Sequence, residues 1–193
     1  MALLTGLLWP MERLNDALLA IGRALALTAL MIMVAFIVYQ ILMRLFFDAP
    51  NWTEEGARFL MLWMTGLIAP LAYRQGGFVA IDMLERALPR VLAATLGLVL
   101  LLAAMVVIWT CASLGWDNVN SFTGRGSSAS LRLPLDWFGG ERMKFKNSWS
   151  FASLFVGFCL LFLVNLELIL RQIIALFGGA DHLKPLEDAG PID

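Results

Sequence analysis

Charge disappears from this chain in four stretches. Residues 24–43 lie uncharged between Arg23 and Arg44, residues 91–116 between Arg90 and Asp117, and residues 147–166 between Lys146 and Glu167. A hydrocarbon core about 30 Å thick needs roughly 20 helical residues, and each of these runs is long enough to span it. The fourth run, residues 59–73, would reach only about 22 Å at 1.5 Å per residue. Its helix must therefore begin earlier, near Thr53, and carry Glu54, Glu55 and Arg58 into the headgroup region, because a charge at mid-depth costs roughly 2.5–3.5 kcal/mol even on the lenient insertion scale. The local residues suit such a start. Pro50 precedes it, Thr53 is placed to N-cap, the two carboxylates sit over the positive end of the helix dipole, Glu54 and Arg58 are spaced i,i+4, and Trp52 can anchor at the interface.

The connecting segments carry a different pattern. Leu14, Leu18, Ile21 and Leu25 recur at helical spacing opposite Glu12, Arg13, Asn15, Asp16 and Arg23, which predicts an amphipathic helix over 10–22 lying along the membrane surface. The start is not a convincing signal peptide, since a charged beginning and a small-residue cleavage site are missing. A second interfacial segment is predicted over 78–88, before Pro89. The layout is an all-α integral membrane protein with four transmembrane helices, at 24–43, 53–73, 91–116 and 148–170, and short interfacial amphipathic helices. A polar loop fills 117–147 and a polar tail fills 171–193, all in one membrane domain of residues 1–193.

Composition agrees: 60% hydrophobic residues, 15% charged residues and a mean hydropathy of +0.78 exceed what a soluble domain of 193 residues can bury. Charge does not orient the chain. With both termini on one side, Arg13, Arg23, Arg74, Arg86, Arg90, Arg171 and Lys184 share that side, and Arg44, Arg58, Arg125, Arg132, Arg142, Lys144 and Lys146 the other, an even division on which the positive-inside rule is silent.

Several chemistries are disfavoured. The single histidine, His182, lies in the polar tail, which argues against bis-histidine haem. Cys111 and Cys159 stand singly in apolar spans and suit packing better than thiol redox chemistry. None of the uncharged runs holds the acidic residue that a proton-driven exporter needs, and no pair of interrupted helices forms a midplane substrate site. "GRGSS" lacks the lysine and the preceding strand of a phosphate loop. No enzyme activity, cofactor, metal or nucleic-acid partner is expected, and the chain reads as a subunit that works with another protein.

The faces of the second helix refine that reading. At 100° per residue, Glu54, Arg58, Leu62, Thr65, Gly66 and Ala69 share one sector, polar at its mouth and mostly small deeper in, so this sector is expected to face protein. Ser153 and Gly157, like Ala93 and Gly97, have the small-xxx-small spacing of helix contacts.

From Arg44 through "NWTEEGARFLMLWMTGLIAPLAYRQGGFVAIDML" the chain resembles the small membrane subunit, DctQ-like, of tripartite ATP-independent periplasmic (TRAP) transporters. The positions that carry the likeness are Arg44, Trp52, Glu54 or Glu55, Arg58, Trp63, Gly66, Arg74 and Asp82, and "SASLRLP" resembles the segment which that family carries before its last helix. Phe78 stands where a histidine is common, and the loop 117–147 is longer and more basic than the family's pattern. The resemblance implies a non-catalytic subunit of a sodium-driven secondary transporter for organic acids or similar solutes. Its partners would be a large DctM-like membrane subunit and a periplasmic DctP-like binding protein, besides membrane lipids. It would brace the large subunit's scaffold in the bacterial inner membrane with both termini cytoplasmic, and the nine positions above would form the partner-subunit interface. The other class of reading is a stand-alone four-helix membrane sensor or assembly factor, which would be stable without a large partner.

Overall fold

The computed structural model describes residues 2–46, 51–76, 89–121, 126–133 and 143–176. Four long helices carry the chain: α1 (Ala2–Phe46), α2 (Asn51–Arg74), α3 (Arg90–Asn120) and α4 (Ser148–Leu176). All four are long and apolar enough to cross a membrane, so the all-α membrane fold read from the uncharged runs is the observed one. The segment 78–88 and the tail beyond Leu176 lie outside the described residues.

The structure differs from the sequence reading in two places. The segment expected to lie along the surface, 10–22, is continuous with the first span in a single 45-residue helix that passes through Pro10. The apolar and polar sides separate as that periodicity requires, but the polar side packs against the bundle instead of facing water. Leu8, Asn15, Leu19, Gly22, Ala26 and Ala29 are buried, spaced 7, 4, 3, 4 and 3 residues apart, the heptad seam of a helix that wraps against its neighbours. Leu14, Ile21 and Leu25 point outward. In a membrane the apolar face suits lipid and the polar face turns to the bundle, the reverse of a soluble helix.

The second difference lies in the polar loop 117–147. There β1 (Ser127–Leu133) and β2 (Met143–Lys146) pair antiparallel, with Ser127 opposite Lys146, Arg132 opposite Lys144 and Leu133 opposite Met143, and an irregularity between Ser127 and Arg132. The Asn147 amide donates to the Gly126 carbonyl at 2.9 Å, closing this ribbon just before α4. The ribbon packs on α2.

The helices adjoin in the order α1, α2, α4, α3, with α1 also reaching α4. Close approach between α2 and α4 rests on two glycines. A Cβ added at Gly66 would meet the Ser153 carbonyl oxygen at 2.7 Å, and one added at Gly157 would meet the Gly66 oxygen at 2.9 Å. Pro70, four residues beyond Gly66, has no N–H to return to the Gly66 carbonyl, which leaves that oxygen available to the backbone of α4. The helix α2 ends at Arg74, and Gly76 leaves it with φ 74°, the left-handed conformation that glycine adopts without strain.

These contacts also fix how far each helix is slid along its neighbour. Gly22 of α1 lies against Leu67 of α2, Gly66 of α2 against Ser153 and Gly157 of α4, and Gly115 of α3 against Phe155 of α4. At this shared level the uncharged run of α1, 24–43, is only beginning, while that of α3, 91–116, is ending.

Candidate functional site

The polar residues that the seams bury converge at one place, where α1, α2 and α4 meet. Glu167 of α4 is fully buried. Its Oε1 accepts from Arg74 Nη2 at 2.9 Å and Nε at 3.2 Å, and from Arg171 Nε at 3.1 Å. Its Oε2 accepts from Asn15 Nδ2 at 2.6 Å. Each arginine then reaches a second carboxylate on α1: Arg74 Nη1 donates to Asp16 at 2.5 Å and Arg171 Nη2 to Glu12 at 2.6 Å.

Beside the cluster, the Tyr73 hydroxyl donates to Asn165 Oδ1 at 2.6 Å. Asn165 Nδ2 in turn reaches the Leu101 carbonyl at 3.2 Å and the Met105 sulfur at 3.4 Å on α3. Gln172 of α4 donates to the Ala94 carbonyl of α3 at 3.1 Å.

Helix geometry brings these groups together. Glu12 and Asp16 are one turn apart on α1, Glu167 and Arg171 one turn apart on α4, and Arg74 is the last residue of α2. Taking charges out of water is expensive, and their attraction compensates only where every donor and acceptor is paired. That condition is met, since no buried side-chain nitrogen or oxygen lacks a partner among the described residues. The chemistry available to such a cluster is mechanical. With its hydrogen-bonding capacity used internally, it ties three helices in one register, and Asn15 within the apolar seam penalises any slide of α1.

The nine positions singled out from the sequence do not share one environment. Four contact their own chain. Trp52 packs edge-on to Phe36 at 5.5 Å and beside Tyr39 at 6.1 Å; Trp63 Nε1 donates to the Trp149 carbonyl at 3.2 Å; Gly66 meets α4; and Arg74 joins the cluster. Arg44, Glu54 and Arg58 face outward, Glu54 and Arg58 as an ion pair one turn apart, while Glu55 is half-buried. Asp82 and Phe78 lie outside the described residues. The sector of α2 expected to face protein is thus divided. Gly66 serves the contact with α4, whereas Glu54, Arg58, Met61, Leu62, Thr65 and Ala72 form one exposed stripe along the helix. Thr65 satisfies its own hydroxyl by donating to the Met61 carbonyl at 2.9 Å.

Sequence reasoning missed Glu12, Asn15, Asp16, Glu167 and Arg171 as a unit. The available signal was the i,i+4 spacing of charges on two different helices, Glu12 and Asp16 being read as the polar face of an amphipathic segment and Glu167 as the end of an uncharged run.

Compared with known families, residues 33–175 match the family described as "Tripartite ATP-independent periplasmic transporters, DctQ component", well over half of the chain. No curated protein matches it.

Proposed function

The chain belongs to the DctQ component family of tripartite ATP-independent periplasmic transporters, and from that membership we propose that it is the small membrane subunit of a sodium-driven, binding-protein-dependent carrier of organic acids or similar solutes. The family is a transporter component rather than an enzyme. In this reading a large DctM-like subunit carries the solute and sodium sites, a DctP-like protein delivers the solute, and this chain braces the large subunit's scaffold. It lies in the bacterial inner membrane with both termini cytoplasmic, which puts the Glu54–Arg58 pair and the β1–β2 ribbon on the periplasmic side.

The observation that carries the bracing role is the contrast between interior and surface. The buried polar groups are consumed in tying α1, α2, α3 and α4 to one another, which favours a rigid element over a moving one. The outward stripe of α2 is left for the large subunit, with the Glu54–Arg58 pair at its mouth. A charge pair there suits a polar protein neighbour better than lipid tails.

Arg58→Leu should therefore leave the chain folded, because the pair is exposed and exposed pairs contribute about 0–1 kcal/mol to stability. It should nevertheless weaken assembly with the large subunit. The check is the yield of large subunit recovered with the tagged variant, together with sodium-dependent solute uptake. Normal recovery and uptake would remove Arg58 from the interface.

A further inference from the structure

The stagger of the uncharged runs determines how the bundle sits in a bilayer. From the level of Gly22, Gly66 and Gly115, the run of α1 extends about 32 Å toward one membrane face and the run of α3 about 36 Å toward the other, at 1.5 Å per residue. No slab about 30 Å thick set at right angles to the helices contains both. A bilayer that accommodates both runs must lie oblique to the helices, and Arg23 is the first charge that α1 meets on the N-terminal side of its uncharged run.

Beyond that point the first turns of α1 present an unusual surface. Trp9, Leu14 and Ile21 remain 64%, 51% and 58% exposed. The carboxylates of the same stretch, Glu12 and Asp16, are engaged by Arg171 and Arg74. Arg13 and Arg23 are exposed and have no carboxylate partner among the described residues, and Arg13 lies over the Trp9 ring at 5.8 Å. With Glu12 and Asp16 neutralised by Arg171 and Arg74, although Asp16 is itself exposed, the unpaired outward charge of the stretch is basic and lies among apolar anchors, which matches an anionic headgroup layer: apolar side chains for the acyl boundary and guanidinium groups for phosphate.

We propose that the stretch of α1 from Trp9 to Arg23 rests on anionic phospholipid headgroups of the leaflet on its N-terminal side, with Arg13 and Arg23 as the phosphate-binding groups. The inference does not depend on the transporter assignment.

The test is native mass spectrometry of the full-length, delipidated chain in detergent, titrated with phosphatidylglycerol and with phosphatidylcholine. The wild type should prefer phosphatidylglycerol by roughly tenfold, as two surface cations acting on an anionic headgroup imply. Arg13→Gln with Arg23→Gln should abolish that preference, Arg13→Lys with Arg23→Lys should keep it, and Lys146→Gln, an exposed cation elsewhere, should leave it unchanged. Circular dichroism on the same samples establishes that the variants are folded.

Equal retention of the two lipids by the wild type overturns the proposal, as does a preference that survives the double glutamine change or is lost equally in Lys146→Gln. A double glutamine variant that keeps the lipid preference but no longer recovers a protein partner would identify this stretch as a protein-docking surface, and would equally overturn it.

Discussion

Glu167→Leu is expected to be among the most damaging single substitutions in this protein. It removes the one carboxylate that Arg74 and Arg171 share, together with the acceptor of Asn15, and leaves two largely buried guanidinium groups without their common counter-charge. Breaking a buried ion pair from one side typically costs about 3–5 kcal/mol, because the orphaned charge stays in low dielectric. Asp16 and Glu12 retain partial compensation, so the lower half of that range is expected.

Glu167→Gln keeps acceptor oxygen but loses the charge, and should fall between wild type and leucine. The diagnostic variant is the double change Glu167→Leu with Arg74→Met, which removes a charge of each sign. If the cluster acts as a unit, the double change costs less than the sum of its parts. Detergent-denaturation midpoints of the wild type, Glu167→Leu, Arg74→Met and the double variant measure this directly. Additive losses, or a Glu167→Leu midpoint equal to wild type, would show that the cluster does not hold the helices.

The second large effect is expected at the contact of α2 with α4. Gly66→Ala puts a methyl group 2.7 Å from a backbone oxygen of Ser153, and Gly157→Ala puts one 2.9 Å from the oxygen and 3.0 Å from the Cα of Gly66. Neither obstacle is a flexible side-chain end, so the helices must separate. Overpacking of this kind costs about 1–3 kcal/mol, and leucine at either position should exceed that. Gly6→Ala is the control: a Cβ there meets nothing within 4 Å, and removing a glycine from a helix interior should stabilise by about 0.5–1 kcal/mol. Thermal unfolding in detergent should order the variants as Gly6→Ala, wild type, then Gly66→Ala and Gly157→Ala together. If Gly66→Ala melted with the control, the glycine contact would carry no weight.

Why one part of this organisation could be read in the sequence and another could not follows from the range of the interactions. Helix existence depends on runs of apolar residues, which are local, and all four helices were visible in the uncharged runs. The Ser153 and Gly157 spacing was visible for the same reason, although its partner, Gly66, was read as facing another protein. The direction of the α1 face was not accessible from periodicity alone. Leu14, Ile21 and Leu25 give the same pattern in a separate helix lying along the surface and in the N-terminal continuation of a span, and the unbroken helix through residues 24–43 shows the second.

The cluster was hidden by distance along the chain. Glu167 is 152 residues from Asn15 and 93 from Arg74, and at the end of an uncharged run it looks like any helix-terminal charge. The β1–β2 ribbon was missed because "MKFK" is too short to announce a strand, and its partner "SSASLRL" is mostly small and polar. Of the positions first assigned to a partner, Trp52, Trp63, Gly66 and Arg74 belong to the chain's own packing. What remains for a partner is the outward charge of Arg44, Glu54 and Arg58 and the stripe that continues from them along α2.

The most direct measurement is recovery of this chain, tagged at its C-terminus and natively expressed, from membranes in mild detergent, with identification and quantification of what accompanies it. A brace for a transport subunit should bring with it a much larger polytopic membrane protein in near-equal amount, and Arg58→Leu should lower that ratio. Recovery of the chain alone, folded and monodisperse, would contradict the account and leave the four helices to be explained as a protein that functions by itself.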